Sequence, residues 1–303
     1  MHTLFSLFFT LLFASAAIAD VDAQAIGTET EAAVPTIHPD VVYGHKDGLA
    51  MTLDVYRPGE AANGAGLMFI VSGGWRSSWR PPEGALPFYE PFLTAGYTVF
   101  AVRHGSSPRY GIPDAYSDVT RAVRFVRSRA ADFGVDPARL AAMGNSAGGH
   151  LALLLGTRGD DGSAGEGPLA QTSSRVAAVV ALVPPTDLSV AVWESPQSLP
   201  VYRRFPALEL AMDKAAEYSP VEHASPDDAP SLIIMGGADE LVPPRHGEWM
   251  AEAFEREGVE HRLIVLDDAG HDLGGAENGG WVLSESIRWL DEHLAAPAGV
   301  SAE

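Results

Sequence analysis

The sequence contains no cysteine. This excludes a thiol nucleophile, a cysteine-based metal site and a disulfide framework. Basic residues are also scarce: 20 Lys and Arg stand against 40 Asp and Glu, giving a net charge of −20. A field of that sign repels nucleic acid and anionic lipid, so neither is an expected partner. The acidic excess reads as a solubility feature. The apolar block near the start, residues 4–13, is too short to span a bilayer.

What is present begins with residues 1–19, MHTLFSLFFTLLFASAAIA, which hold no Lys, Arg, Asp or Glu. The pattern Ala17-Ile18-Ala19 is a small-x-small cleavage site. The segment reads as a secretory signal cut after Ala19, so the mature protein is expected outside the cytoplasm, secreted or periplasmic, with no stable membrane insertion. Residues 20–40 are acidic, small and aperiodic and read as a flexible lead-in. The main domain is expected over residues 41–294, followed by a disordered tail at 295–303. A chain of 303 residues buries enough apolar surface to fold without cross-links.

Within the main domain, residues 41–43 and 50–56 alternate as strands about a Lys46-Asp47-Gly48 turn, an antiparallel hairpin. Continuous apolar runs follow at 67–71, 98–102, 140–143, 176–183, 232–235 and 263–266, as in strands buried on both faces. Helical patterns over 114–133, 146–155, 244–257 and 280–294 separate several of them. Arg121, Arg124, Arg127 and Arg129 read as the solvated face of the first. Strands alternating with helices imply an α/β fold, a mostly parallel sheet covered on both faces. Residues 187–219 interrupt the rhythm and read as a small cap.

Gly144-Asn145-Ser146-Ala147-Gly148 fits G-x-S-x-G between a predicted strand and a predicted helix. Such a turn strains the serine backbone and leaves no room for side chains at the flanking glycines. It lifts Ser146 Oγ into a cleft at the carboxyl end of the sheet. A serine hydroxyl needs a base. Of ten histidines, His271 is favoured, in a glycine-rich loop past the last buried strand. His150, one turn into the helix after Ser146, is expected to pack. His104 follows the strand at 98–102 and is placed to line the cleft. The imidazole needs an acid to orient it; Asp239, past the strand at 232–235, is favoured over Glu240. The order Ser146, Asp239, His271 is that of α/β-hydrolases. Gly73-Gly74-Trp75, after the first buried strand, is where backbone donors to an oxyanion are expected. Trp75, Trp79 and Trp193 are candidates to line a substrate subsite.

The motifs SGGW at 72–75, AVRHGSSPRYGIPDAYSDVTRAVRFVR at 101–127, DPARLAAMGNSAGGHLALLLG at 136–156, GGADELVP at 236–243 and AGHD at 269–272 together resemble the α/β-hydrolase esterase/lipase family. The likeness is to its acetyl-xylan and feruloyl esterase-like and hormone-sensitive-lipase-like branches. It implies an α/β-hydrolase fold with a small cap, Ser146 as nucleophile, His271 as base and Asp239 as orienting acid. It also implies an oxyanion hole from the amides of Gly74, Trp75 and Ala147. The expected activity is hydrolysis of a small-molecule or polysaccharide-linked carboxylic ester, with no metal or organic cofactor. Ser72 departs from the usual His-Gly-Gly, whose histidine braces the loop. The rival readings are a prolyl-oligopeptidase-like peptidase and a catalytically silent binding protein of the same fold.

Overall fold

In the computed structural model, residues 35–162 and 169–296 are described. The leader at 1–19, most of the lead-in and most of the tail lie outside them. The chain opens with a hairpin of β1 (Thr36–Lys46) and β2 (Leu49–Arg57). Asp47 and Gly48 form its turn with φ of 49° and 78°, the left-handed pair that matches the twist of an antiparallel ribbon. The lead-in ends earlier than the sequence pattern suggested: β1 pairs from Thr36, opposite Arg57. Register shifts near Asp40, itself at φ 51°, break the alternation that would have marked the strand.

β3 (Gly66–Ile70), β4 (Thr98–Val102), β5 (Leu140–Asn145), β6 (Ala178–Leu182), β7 (Ser231–Gly236) and β8 (His261–Leu266) complete an eight-stranded sheet of order β1-β2-β4-β3-β5-β6-β7-β8. The pairings β1–β2 and β2–β4 are antiparallel and the remainder parallel. Alternate residues feed two cores. Met68, Ile70, Phe100 and Val102 pack with the face covered by α2 (Ile112–Ser128), α4 (Ala147–Arg158) and α6 (Arg245–Glu257). Leu67, Val99 and Ala101 pack with the face covered by α1 (Pro82–Thr94) and α7 (Gly275–His293). Burial on both sides is why these strands read as unbroken apolar runs.

Two helical expectations change. The pattern over 114–133 divides into α2 and a four-residue α3 (Ala130–Phe133), because Arg129 leaves helical geometry at φ −121°, ψ 22°. α1 has no sequence signal, since Pro87 and Pro91 lie inside it and each removes a donor. Burial of Tyr89, Phe92 and Leu93 against the sheet overrides that penalty. The arginine face of α2 is also less solvated than expected. Arg124 pairs with Asp160, and Arg127 donates to the carbonyls of Pro137, Ser173 and Arg175, tying down the chain ahead of β5 and beyond α4.

The stretch at 187–219 is a sequence of 3-10 turns (Leu188–Val190, Pro200–Arg204, Pro206–Leu208) and the short α5 (Met212–Glu217). Tyr202 Oη donates to the carbonyl of Leu241 at 2.8 Å. That bond fastens this cap to the loop after β7.

Candidate active site

Ser146 sits at the junction of β5 and α4 with φ 54° and ψ −120°. A non-glycine residue in this region is strained by about 1–3 kcal/mol and persists only where its surroundings dictate it. They do so through flanking glycines. A Cβ on Gly144 would stand 2.3 Å from the backbone carbon of Gly148, and one on Gly148 would stand 2.6 Å from the Ile70 carbonyl oxygen. The Ser146 amide donates to the Leu182 carbonyl at 2.7 Å, which anchors the turn on β6.

Asp239 and His271 arrive from the carboxyl ends of β7 and β8. His271 Nε2 lies 3.0 Å from Ser146 Oγ, and His271 Nδ1 lies 2.7 Å from Asp239 Oδ2. The Asp239 side chain is fully buried. Its other oxygen, Oδ1, accepts from the amides of Leu241 and Val242 at 2.8 and 2.9 Å. Both carboxylate oxygens therefore have donors, which is what a buried charge requires. Glu240 is exposed and makes no such contact. Asp272 accepts from the Gly274 amide and closes the turn ahead of α7.

Gly74 and Trp75 both have left-handed backbones, with φ of 57° and 55°. With Ser146 they line a cavity of about 30 Å³, closed by Pro185, Ala191, Tyr202, Phe205, Leu208, Leu241 and Val242. Among the described residues, the amides of Gly74 and Trp75 donate to no backbone or side-chain acceptor. The Ala147 amide is the first of α4, in the turn whose donors lack intrahelical partners. Phe205 of the cap covers Gly74 so closely that a Cβ there would lie 2.6 Å from the ring.

Two histidines brace this loop. Trp75 Nε1 donates to His150 Nδ1 at 3.2 Å, so His150 Nε2 carries the proton that it gives to the Tyr218 carbonyl at 2.8 Å. Complete burial pushes His150 down to about 4 and holds that neutral tautomer. His150 thus packs, as its place in α4 suggested, yet its partner is the loop carrying Gly74 and Trp75. His104 donates from Nδ1 to the Gly105 carbonyl, leaving Nε2 to accept from Ser72 Oγ; both bonds are 2.8 Å. Burial holds this imidazole below its ordinary range. Of the other tryptophans considered, Trp79 is exposed, and Trp193 Nε1 donates to the Tyr202 carbonyl within the cap.

The BD-FAE family model matches residues 53–254, two thirds of the chain. The probable carboxylic ester hydrolase LipM of Mycobacterium tuberculosis is 30% identical over 67% of this chain and 48% of its own length. The chain spans about half the length of the first curated relatives it matches. Among solved structures, a truncated carbohydrate esterase from gut microbiota superposes with a TM-score of 0.74 at 23% identity, covering 88% of this chain and 99% of that one. The butyrate-bound form of the esterase Est2 from the planctomycete Thermogutta terrifontis gives 0.70 at 26% identity, covering 89% and 98%. The fold is that of the α/β-hydrolases.

Proposed function

The chain belongs to the BD-FAE family, and on that premise we propose that it is a serine hydrolase cleaving carboxylic esters of short acyl groups. The observation that carries this reading is the continuous series Ser146 Oγ–His271–Asp239, with bonds of 3.0 and 2.7 Å, beside the amides of Gly74, Trp75 and Ala147. Its relatives LipM and Est2, described as ester hydrolases, support the same class of reaction.

In this reading Ser146 Oγ attacks the acyl carbon while His271 Nε2 takes its proton. Asp239, fixed by two amides, accepts from His271 Nδ1 and stabilises the imidazolium without taking the proton. Charge develops on the former carbonyl oxygen, where the amides of Gly74, Trp75 and Ala147 receive it; one such donor is worth roughly 3–4 kcal/mol in the transition state. Collapse expels the alcohol, protonated by His271. Water then releases the acyl group from Ser146 by the same relay. The cavity beside Ser146 is small, about 30 Å³, which suits a short acyl group. The leader at residues 1–19 directs the protein out of the cytoplasm, where polysaccharide-linked esters are accessible substrates.

Hydrolysis of an aryl acetate by the parent and by Ser146→Ala tests the mechanism. The variant is expected to lose turnover, and a fluorophosphonate is expected to label Ser146 of the parent alone. Parent-level turnover by Ser146→Ala rules the assignment out. An unlabelled, inactive parent favours the silent binding protein.

A further inference from the structure

A second hollow, far larger than the cavity at Ser146, is lined in part by the same 72–75 loop. Its volume is about 790 Å³, within the range of about 300–1,000 Å³ typical of small-molecule sites. It adjoins the reacting serine along the backbone. Ser72 and Gly73 line the hollow, and the next residues, Gly74 and Trp75, line the small cavity; Asn145 lines the hollow and Ser146 the small cavity. Adjacent Cα atoms are only about 3.8 Å apart. The two spaces are thus lined by consecutive residues of one loop and of one turn.

The charge of this hollow is opposite to that of the chain. Its lining includes Arg76, Arg80 and Arg103 but a single carboxylate, Asp54. Arg103 neutralises Asp54 at 2.5 Å and also holds Thr52 and Asp40. Arg76 and Arg80 are exposed, and among the described residues their guanidinium groups meet no carboxylate and donate no hydrogen bond. Both line the same hollow. The same lining holds Tyr56, Phe69, Phe88 and Tyr89, a ring cluster with centroids 4.7–5.4 Å apart. Phe88 leaves 46% of its surface exposed, an apolar face in the same lining.

We propose that this hollow binds the alcohol half of the ester, and that this alcohol carries a carboxylate, as in an acidic sugar unit, paired by Arg76 and Arg80. The proposal rests on the esterase reading above. With the small cavity at Ser146 taking the acyl group, the larger hollow is left for the alcohol. A guanidinium presents paired N–H groups that match a carboxylate edge, and two of them distinguish an acid from its neutral counterpart.

The test compares the O-acetyl ester of methyl glucuronoside with that of methyl glucoside, which differ in carboxylate against hydroxymethyl. The parent is expected to favour the acidic ester by about tenfold or more in kcat/KM, with the preference shrinking as NaCl is raised. In Arg76→Gln/Arg80→Gln the ratio is expected to approach one, and in Arg76→Lys/Arg80→Lys to stay between. If the double glutamine variant does not fold, competitive inhibition of the parent by the two deacetylated sugars reads the same selectivity. Equal rates or equal inhibition in the parent, or an unaltered ratio in the folded glutamine variant, overturns the subsite. A parent that cleaves aryl acetate but treats the sugar esters alike fails this proposal only. A parent that cleaves no ester fails the esterase reading as well.

Discussion

Ser72 Oγ donates to His104 Nε2 across 2.8 Å, and the two residues stand on different strand ends, 32 positions apart. The bond ties the start of the 72–75 loop to the segment after β4. On the other side of that segment the Gly105 amide donates to Asp118, which Lys46 pairs at 2.7 Å. The residue that replaces the family's loop histidine is thus still braced, with the imidazole supplied from elsewhere. Ser72→Ala removes one hydrogen bond worth about 1 kcal/mol. Through the loop it is expected to lower kcat on aryl acetate about five- to tenfold with KM little changed, and Ser72→Thr to restore most of it. Steady-state kinetics of the three proteins check this. A change confined to KM contradicts the role.

Asp239→Asn is expected to preserve the fold and cut kcat by about 10³–10⁴. The amide oxygen still accepts from Leu241 and Val242, but an amide NH₂ facing His271 Nδ1 selects the wrong tautomer. Thermal unfolding and kcat measured on the same preparation separate the two effects.

In the proposed reading the cap helps to limit the acyl group. Leu208, 2% exposed, lines the cavity of about 30 Å³ beside Ser146. Leu208→Ala is expected to raise the butyrate-to-acetate ratio of kcat/KM by about tenfold or more. It also destabilises the protein by about 2–5 kcal/mol. Aryl esters of graded chain length, assayed well below the melting temperature, report the shift. An unchanged ratio contradicts the pocket assignment.

Two buried imidazoles contribute to acid stability. Burial pushes both His150 and His246 from 6.5 down to about 4. Between these values the unfolded chain binds protons that the native chain does not, so the unfolding free energy rises with pH in that window. The contribution is complete above about pH 6.5 and drains away as the pH falls to about 4, by a few kcal/mol in all. His246 Nδ1 accepts from the Thr186 amide at 3.1 Å, a role the carbonyl of glutamine also fills. His246→Gln is therefore expected to flatten the pH dependence of the urea midpoint between pH 4 and 6.5. Parallel curves for parent and variant across that window contradict it.

The parts of the site that are legible in the sequence are those with a local signature. Ser146, Asp239 and His271 each follow an apolar run and sit in a glycine-rich turn, so the residues that the strands deliver to one rim are readable from short windows. The braces are not. Trp75 and His150 are 75 positions apart, and nothing near either residue reports the other. α1 is hidden for a different reason. Its prolines oppose helix locally, and only the sheet beneath Phe92 and Leu93 reverses that preference. β1 is legible only past Asp40, because the register shifts there scramble the alternation that marks a strand.

The hydroxyl of Ser146 and the imidazole of His271 lie 125 positions apart, joined only through strands that alternate with whole helices. Contacts of such sequence separation form late when a chain refolds. Recovered turnover after denaturation therefore counts molecules whose last strand has docked, and is expected to lag behind the return of helical circular dichroism.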